Sequence, residues 1–236
     1  ISFSGGGICG ASCGQDSGKV TIKNCYSTGE IGRTGGGICG HMCAFNKGDV
    51  TIKNCYSTGE IGIGSGGICG RQTGDSGVVT IENCYSTGEI GPNAGGICGC
   101  YTANNSGNVT IRNCLYNYKG CETDVVTPSE MVFTSSASIS DEDEDKFKGI
   151  IGMLKHPANT HFSYSKIEII NCHYFADMDN FHERAQLSIN KAPSNTWAQF
   201  TNGGHWLLKW QTEHASGPSV AVLDTCLTLP SGGDTT

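Results

Sequence analysis

Apolar and polar side chains alternate with a period of two in a short stretch that recurs along the first half of the chain. In VTIK at 20–23, Val20 and Ile22 share one face and the polar residues between them share the other, which predicts a β-strand. Asn24 follows, and Asn tolerates the left-handed backbone conformation, so it predicts a corner. Beyond the corner, Cys25 has the same phase as Ile31, which we expect to point inward.

The alternating stretch is one part of a repeat of about thirty residues. VTIKNCYSTGEIG occupies 20–32 and 50–62, VTIENCYSTGEIG occupies 79–91, and a shorter form, VTIRNCLYN, occupies 109–117. A second block, GGICG, lies between the copies at 6–10, 36–40, 66–70 and 95–99. Each unit therefore holds about three short strands and three bends.

A single unit of this kind cannot bury its own apolar face, whereas stacking each unit on the next pairs every strand with its own copy. The sequence therefore predicts an all-β fold, a right-handed parallel β-helix (β-solenoid) of about four 30-residue coils plus a further coil and an irregular C-terminal cap. The predicted core columns are Ile8/Ile38/Ile68/Ile97, Ile22/Ile52/Ile81/Ile111 and Ile1/Ile31/Ile61/Ile90, with a corner ladder of Asn24/Asn54/Asn83/Asn113.

The chain divides into four predicted segments. They are the repeats at 1–117, an insert at 118–165 that leaves the solenoid, a final coil with a Trp-rich cap at 166–216, and a strand and tail at 217–236. The insert carries the acidic loop Asp141–Asp145 and a predicted short helix over Asp145–Lys155. In the third segment, 167–174 reproduces the strand, corner and Cys pattern, and Trp197, Trp206 and Trp210 are expected to close the apolar end.

Composition and charge exclude several classes of function. The net charge of −7 makes nucleic acid an unexpected partner, because binding phosphates needs a basic face. Apolar runs are too short to cross a bilayer as a helix, so no membrane span is predicted. The chain begins at Ile1 without Met or a signal-like leader, and we expect a processed or truncated product.

Fourteen cysteines favour an oxidising compartment, although a repeated Cys is also a small apolar residue that can stack on its copies as a thiol. Cys9 and Cys25 recur once per coil and are candidates for a bridge within the coil, while Cys13 and Cys43 occupy one loop column in neighbouring coils. The disulfide candidates are Cys9, Cys25, Cys39, Cys55, Cys69, Cys84, Cys98, Cys114, Cys13 and Cys43.

Two blocks together, GGICG and VTIKNCYSTGEIG, resemble the GLUG motif over residues 1–117, with Cys where that motif has Val and Ser. Thr127–Met131 and the Trp-rich stretch at 203–210 resemble segments that follow such repeats. The resemblance implies a secreted or surface-anchored, adhesin-like protein and carries over no catalytic residue.

No catalytic, cofactor-binding or metal-binding residue is assigned from the sequence, and no cofactor is predicted. The repeat walls present identical columns, such as Glu30, Glu60 and Glu89, rather than one singular constellation. No CxxC pair occurs, and Cys98 and Cys100 are too close in sequence for a zinc pair. Asn104 and Asn108 begin two glycosylation sequons at a turn.

These observations favour a structural or adhesive module without catalytic activity, belonging to an extracellular, cell-surface, filament or virion-surface protein. Because Ile1 aligns with Ile31, the first coil would expose an unpaired edge. Either more repeats precede it, or another molecule stacks there by head-to-tail self-association or in a larger surface assembly. The alternative is a β-helix that binds or cleaves polysaccharide, with a glycan as its partner.

Overall fold

A computed structural model describes residues 1–117, 125–126, 130–134, 149–154, 166–170, 172–175, 197–199 and 206–208. Within these ranges the chain forms fourteen β-strands joined by turns and bridges, and it contains no helix.

The alternating segments form the longest strands and stack into one sheet. In spatial order these are β1 (Lys19–Lys23), β3 (Asp49–Lys53), β5 (Val78–Glu82), β7 (Asn108–Arg112) and β11 (Lys166–Ile170), all parallel, followed by β10 (Glu130–Thr134), which is antiparallel to β11. The register pairs like with like, so that Ile22 lies beside Ile52 and Ile52 beside Ile81. Ile52 and Ile81 are consequently fully buried.

The segments beyond the Asn corner form a second sheet of shorter strands. Its members in order are β2 (Tyr26–Ser27), β4 (Tyr56–Ser57), β6 (Tyr85–Ser86), β8 (Leu115–Asn117), β12 (His173–Phe175) and the antiparallel β9 (Val125–Val126). A separate antiparallel pair consists of β13 (Trp197–Gln199) and β14 (Trp206–Leu208). The capping role of Trp197 and Trp206 stays a prediction, and Trp210 lies outside the described residues.

The GGICG blocks form the third wall. Single parallel bridges join Gly36 to Gly66 and Cys39 to Cys69, and the Ile38 N–H donates to the Ile68 carbonyl over 2.9 Å. A Cβ at Gly36 would overlap the carbonyl oxygen of Cys39, which explains why this position is glycine in every copy.

The four corner asparagines adopt φ of 52° to 55°, as the corner prediction requires. Their side chains form a ladder in which Asn54 Nδ2 donates to Asn24 Oδ1 over 3.3 Å, and Asn83 Nδ2 donates to Asn54 Oδ1 over 3.2 Å. Asn113 continues the same ladder to Asn83.

The all-β parallel solenoid is therefore confirmed. Between β1 and β7 the chain makes three complete turns, from β1 to β3, β3 to β5 and β5 to β7, and β11 adds a fifth parallel strand level. The further coil predicted at 167–174 is confirmed where it is described, because β11 and β12 pair with β7 and β8. The right-handed winding stays a prediction.

Residues 149–154 were predicted to belong to an insert outside the solenoid, but they pack on it. Residues 149–154 form turns and a bridge, so the described part of the segment expected to be helical is not helical. Ile97 donates its N–H to the Ile150 carbonyl over 2.9 Å, and Cys98 forms a bridge with Ile151. The Gly-Ile-Ile-Gly sequence at 149–152 thus takes the place of GGICG and joins the stack. The acidic loop Asp141–Asp145 lies outside the described residues, and the segment boundaries stay a prediction.

Candidate functional site

The border of the first coil differs from every later coil in its exposure. Ile8 is 45% exposed and Tyr26 is 40% exposed, whereas Ile38 and Tyr56, their copies in the second coil, are fully buried. Phe3 is 68% exposed on the same coil. We call the border formed by Phe3, Ile8, β1 and Tyr26 the first-coil edge.

Half of the backbone polar groups of β1 point to the first-coil edge. The N–H of Asn24 donates to the carbonyl of Lys53 over 3.1 Å, which fixes the residues of β1 that bond to β3. In a parallel ladder the N–H and C=O of alternate residues point to the same neighbour. Those of Lys19, Thr21 and Lys23 therefore point away from β3. This row is a template for pairing with a further strand.

A side-chain stack ends at the same edge. The rings of Tyr26 and Tyr56 are parallel within 6° with centroids 5.1 Å apart, and those of Tyr56 and Tyr85 are parallel within 1° at 4.9 Å. Tyr56 is covered on both faces, whereas Tyr26 has a neighbouring ring on one face within the stack. The first-coil edge thus presents an open aromatic face beside an open strand.

The charged columns of the outer wall are solvated and partly paired. Lys53 Nζ lies 2.6 Å from Glu82 Oε2, and Lys19 Nζ lies 3.6 Å from Asp49 Oδ2. The Lys19–Asp49 pair is exposed and the Lys53–Glu82 pair is partly buried. Exposed pairs contribute little to stability, about 0 to 1 kcal/mol. In the Lys53–Glu82 pair, Glu82 is the one acidic residue in the column of Lys23, Lys53, Glu82 and Arg112.

A polar network that the sequence did not predict lies in the turns of the second to fourth coils. Asp75 is almost fully buried, and its carboxylate accepts hydrogen bonds from Gln72 Nε2 at 3.2 Å, Asn104 Nδ2 at 3.2 Å and Asn105 Nδ2 at 2.9 Å. His41 lies nearby, and burial, followed by the charge of Arg71, lowers its pKa. The hydrogen bonds satisfy Asp75 and tie neighbouring turns together, which is a structural role.

The cysteines form two columns along the stack. The twelve cysteines of the described part are free thiols. Thiol contacts run between neighbouring coils, from Cys9 to Cys39 and from Cys55 to Cys84. The first column comprises Cys9, Cys39, Cys69 and Cys98, and the second comprises Cys25, Cys55, Cys84, Cys114 and Cys172. Disulfides at the ten candidate positions stay a prediction.

Burial and hydrogen bonds between thiols raise the pKa of several of these cysteines. Burial raises the pKa of Cys69 to about 11 and holds the pKa of Cys114 well above its ordinary value. Hydrogen bonding with Cys13, and next with Cys43 and Cys69, raises the pKa of Cys39 well above the ordinary value. Thiols of this kind are poor nucleophiles, because the thiolate is the reactive form.

One group of thiols departs from simple stacking. The Sγ atoms of Cys39, Cys43 and Cys69 lie within 4.8 Å of one another, and all three side chains are buried. We call these three residues the thiol cluster. No CxxC pair occurs in the sequence, but Cys39 and Cys43 have C-x3-C spacing, which also occurs in metal sites, and Cys9 and Cys13 repeat it.

The two sequon asparagines lie in different surroundings. Asn104 is half-buried, and its amide donates to Asp75, whereas Asn108 is exposed at the start of β7. Of the two predicted glycosylation positions, Asn108 offers the accessible amide.

In the described part of the chain, no helix is long and apolar enough to cross a membrane.

Comparisons with known proteins identify no relative that shows a family. No family model matches the chain, and no curated protein matches it. Among solved structures, the chain is similar to a crystal structure of a "putative immunoglobulin A1 protease" from Bacteroides ovatus, with 23% identity and a TM-score of 0.41. The match covers 80% of this chain and 57% of that one, so this chain spans little more than half of that protein.

Proposed function

We propose that the chain is a structural β-solenoid module without catalytic activity, whose first-coil edge is covered by a further β-layer, either another repeat of the same protein or a second copy of this chain. The observation that carries the proposal is the abrupt change in burial between the first coil and its identical neighbour, because Tyr26 and Ile8 expose apolar surface that their copies bury completely. Membership in the GLUG-type repeat proteins, an adhesive role and a location on a cell, filament or virion surface belong to the same proposal and rest on the motif resemblance.

The first-coil edge matches what another β-strand layer offers. The outward N–H and C=O groups of Lys19, Thr21 and Lys23 need strand partners, and the Tyr26 ring needs an apolar surface on its open face. Another edge of the same kind supplies both. A second copy turned about a two-fold axis would place its own β1 antiparallel to this β1, and the apolar interior of the solenoid would continue across the junction.

The other end of each sheet has a different border. There, β10 and β9 run antiparallel to the coils and do not carry the repeat sequence. A head-to-tail contact would therefore bring unlike columns together. We expect the two-fold arrangement, which gives a closed dimer, rather than the filament that the sequence suggested.

Sedimentation velocity over a range of concentrations tests the proposal. Thr21→Pro removes one outward N–H without removing a bond to β3, and Thr21→Val is the matched control that keeps the N–H. We expect a concentration-dependent dimer for the parent chain and for Thr21→Val, and a monomer for Thr21→Pro. A parent chain that remains monomeric at the highest concentrations would contradict self-association, and labelling of intact cells or particles by a specific antibody tests the surface location.

The alternative of a protein that binds or cleaves polysaccharide stays a prediction from the fold. A cleaving enzyme would need two carboxylates that converge on one cleft. Within residues 1–117, the Glu30, Glu60 and Glu89 column follows the repeat along the outer wall instead.

A further inference from the structure

The thiol cluster brings together more sulfur than stacking requires. Parallel stacking alone places one Cys above the next along the column of Cys39 and Cys69, at the interstrand spacing of about 4.8 Å. Cys43 adds a third Sγ within 4.8 Å of both. It reaches this place because the turn after Cys39 contains two left-handed residues, Met42 with φ 56° and Ala44 with φ 60°, which fold the chain back toward the core.

The position of Cys43 also shows that a thiol is not needed there for folding. In the third and fourth coils the same place is taken by Thr73 and Thr102, both fully buried. Each hydroxyl donates to the carbonyl three residues before it, Thr73 to Gly70 over 2.7 Å and Thr102 to Gly99 over 2.9 Å. The fold thus accepts Thr in this column, while the first two coils carry Cys13 and Cys43 beside the first cysteine column.

We propose that Cys39, Cys43 and Cys69 bind one thiophilic metal ion of the zinc(II) type through three thiolates. A tetrahedral site with Zn–S bonds of 2.3 Å requires sulfur atoms about 3.8 Å apart. The three buried Sγ atoms lie within 4.8 Å of one another, so small side-chain rotations bring them to this distance. Three protein ligands leave one tetrahedral position for a small exogenous ligand such as water.

The surroundings select a soft ion with a filled d shell. Sulfur ligands without oxygen favour zinc(II) or copper(I) over magnesium, calcium or manganese. Cys39, Cys43 and Cys69 are fully buried, so an ion bound there is enclosed by protein.

Metal binding at the thiol cluster releases protons. Each thiol that becomes a ligand loses its proton to solvent, and three thiolates with one zinc(II) ion carry a net charge of −1. The apparent affinity therefore falls as the pH falls.

Cobalt(II) titration of the reduced, metal-free chain tests the site, because thiolate ligation gives a charge-transfer band and tetrahedral geometry gives intense ligand-field bands. The test variant is Cys43→Thr, which copies the third and fourth coils and so is expected to fold. The controls are Cys13→Thr, which makes the same change in the first coil, and Cys84→Ser, which changes a buried thiol of the second cysteine column. Circular dichroism compares the fold of all four proteins.

We expect the parent chain, Cys13→Thr and Cys84→Ser to take up one cobalt ion with both spectral signatures, and zinc(II) to displace it. Cys43→Thr should weaken binding by more than about a hundredfold, since loss of an outer-shell partner alone costs 10-fold to 100-fold. A reduced parent chain without the charge-transfer band would overturn the proposal. So would a spectrum and affinity that are unchanged in Cys43→Thr, because the ligands would then lie elsewhere.

Discussion

The first and second coils share thirteen identical residues, at 20–32 and 50–62, and yet these residues differ in burial. Val50, Cys55 and Tyr56 are fully buried, whereas Val20 and Cys25 are only partly buried and Tyr26 is exposed. Because the sequence is the same, the difference comes from the neighbour above. Burial in this fold is therefore a property of stacking, and a substitution made at equivalent positions of the two coils measures what one additional coil contributes.

The largest difference in stability between the two coils is expected when proline replaces the equivalent Thr residues of β1 and β3. Thr51→Pro removes an N–H that points toward β1 and leaves a carbonyl of β1 without its donor, so we expect a loss of about 3 kcal/mol in the free energy of unfolding. Thr21→Pro removes an N–H that points away from the stack and should cost much less. Urea unfolding of the two variants measures the difference. Equal losses would show that β1 is not an open edge.

The next largest difference is expected at the glycine that ends GGICG. A Cβ at Gly40 would overlap the carbonyl oxygen of Ser4 in the coil above, whereas a Cβ at Gly10 meets nothing within 4 Å. We expect Gly40→Ala to cost about 1 to 3 kcal/mol through overpacking, and Gly10→Ala to change the free energy of unfolding of the monomer by less than about 0.5 kcal/mol.

The Gly10 variant also tests the proposed association. If a second copy packs closely on the first-coil edge, Gly10→Ala should weaken the dimer while the monomer keeps its stability. Sedimentation at several concentrations separates the two effects. A Gly10→Ala monomer as unstable as Gly40→Ala would contradict the open environment of Gly10.

A smaller difference is expected in the corner ladder. Asn54 bonds through its side chain to the asparagines above and below it, whereas Asn24 accepts one such bond from Asn54. Alanine at either position meets the same left-handed backbone penalty, since φ is 54° in both. Asn54→Ala should therefore be less stable than Asn24→Ala by about 1 kcal/mol, the net value of one hydrogen bond. Thermal unfolding under identical conditions measures the difference in stability. If Asn24→Ala were less stable than Asn54→Ala, the ladder would not be what stabilises the corner.

Ionisation of the buried thiols is expected to have the smallest effect on the free energy of unfolding near neutral pH. Because the folded-state pKa of Cys69 is about 11, the folded chain holds protons that the unfolded chain loses above its thiol pKa of about 8.5. Stability should be independent of these thiols below pH about 8.5 and should fall as the pH rises toward 11. Cys69→Ala should flatten this alkaline decline in a series of urea midpoints, and an unchanged decline would assign it to other groups.

The stacking itself could be predicted because the repeat places equal residues at equal positions, so the core columns of Ile and the Asn ladder follow from the period alone. The direction of Cys9 and its copies could not be predicted. Two consecutive N–H groups, of Ile38 and Cys39, donate to the single carbonyl of Ile68, so the two-residue alternation is interrupted and both side chains face the core.

Two further features of the fold could not be predicted from the repeat. The antiparallel strands β9 and β10 have no repeat sequence, and their pairing depends on contacts between distant parts of the chain. The bridge of Ile151 with Cys98 had only the Gly-Ile-Ile-Gly pattern as its signal. The thiol cluster was missed for a similar reason, since Cys39 and Cys43 come from one coil and Cys69 from the next, and their meeting depends on the turn at Met42.

Residue-resolved amide hydrogen exchange along β1, measured at low and at high protein concentration, tests the central claim most directly. At low concentration we predict fast exchange at Lys19, Thr21 and Lys23 and slow exchange at Val20 and Ile22. At high concentration the three fast amides should become protected as a second copy pairs with the edge. Exchange at Thr21 that is equally fast at every concentration, or equally slow, would contradict the account of an open edge that a further strand completes.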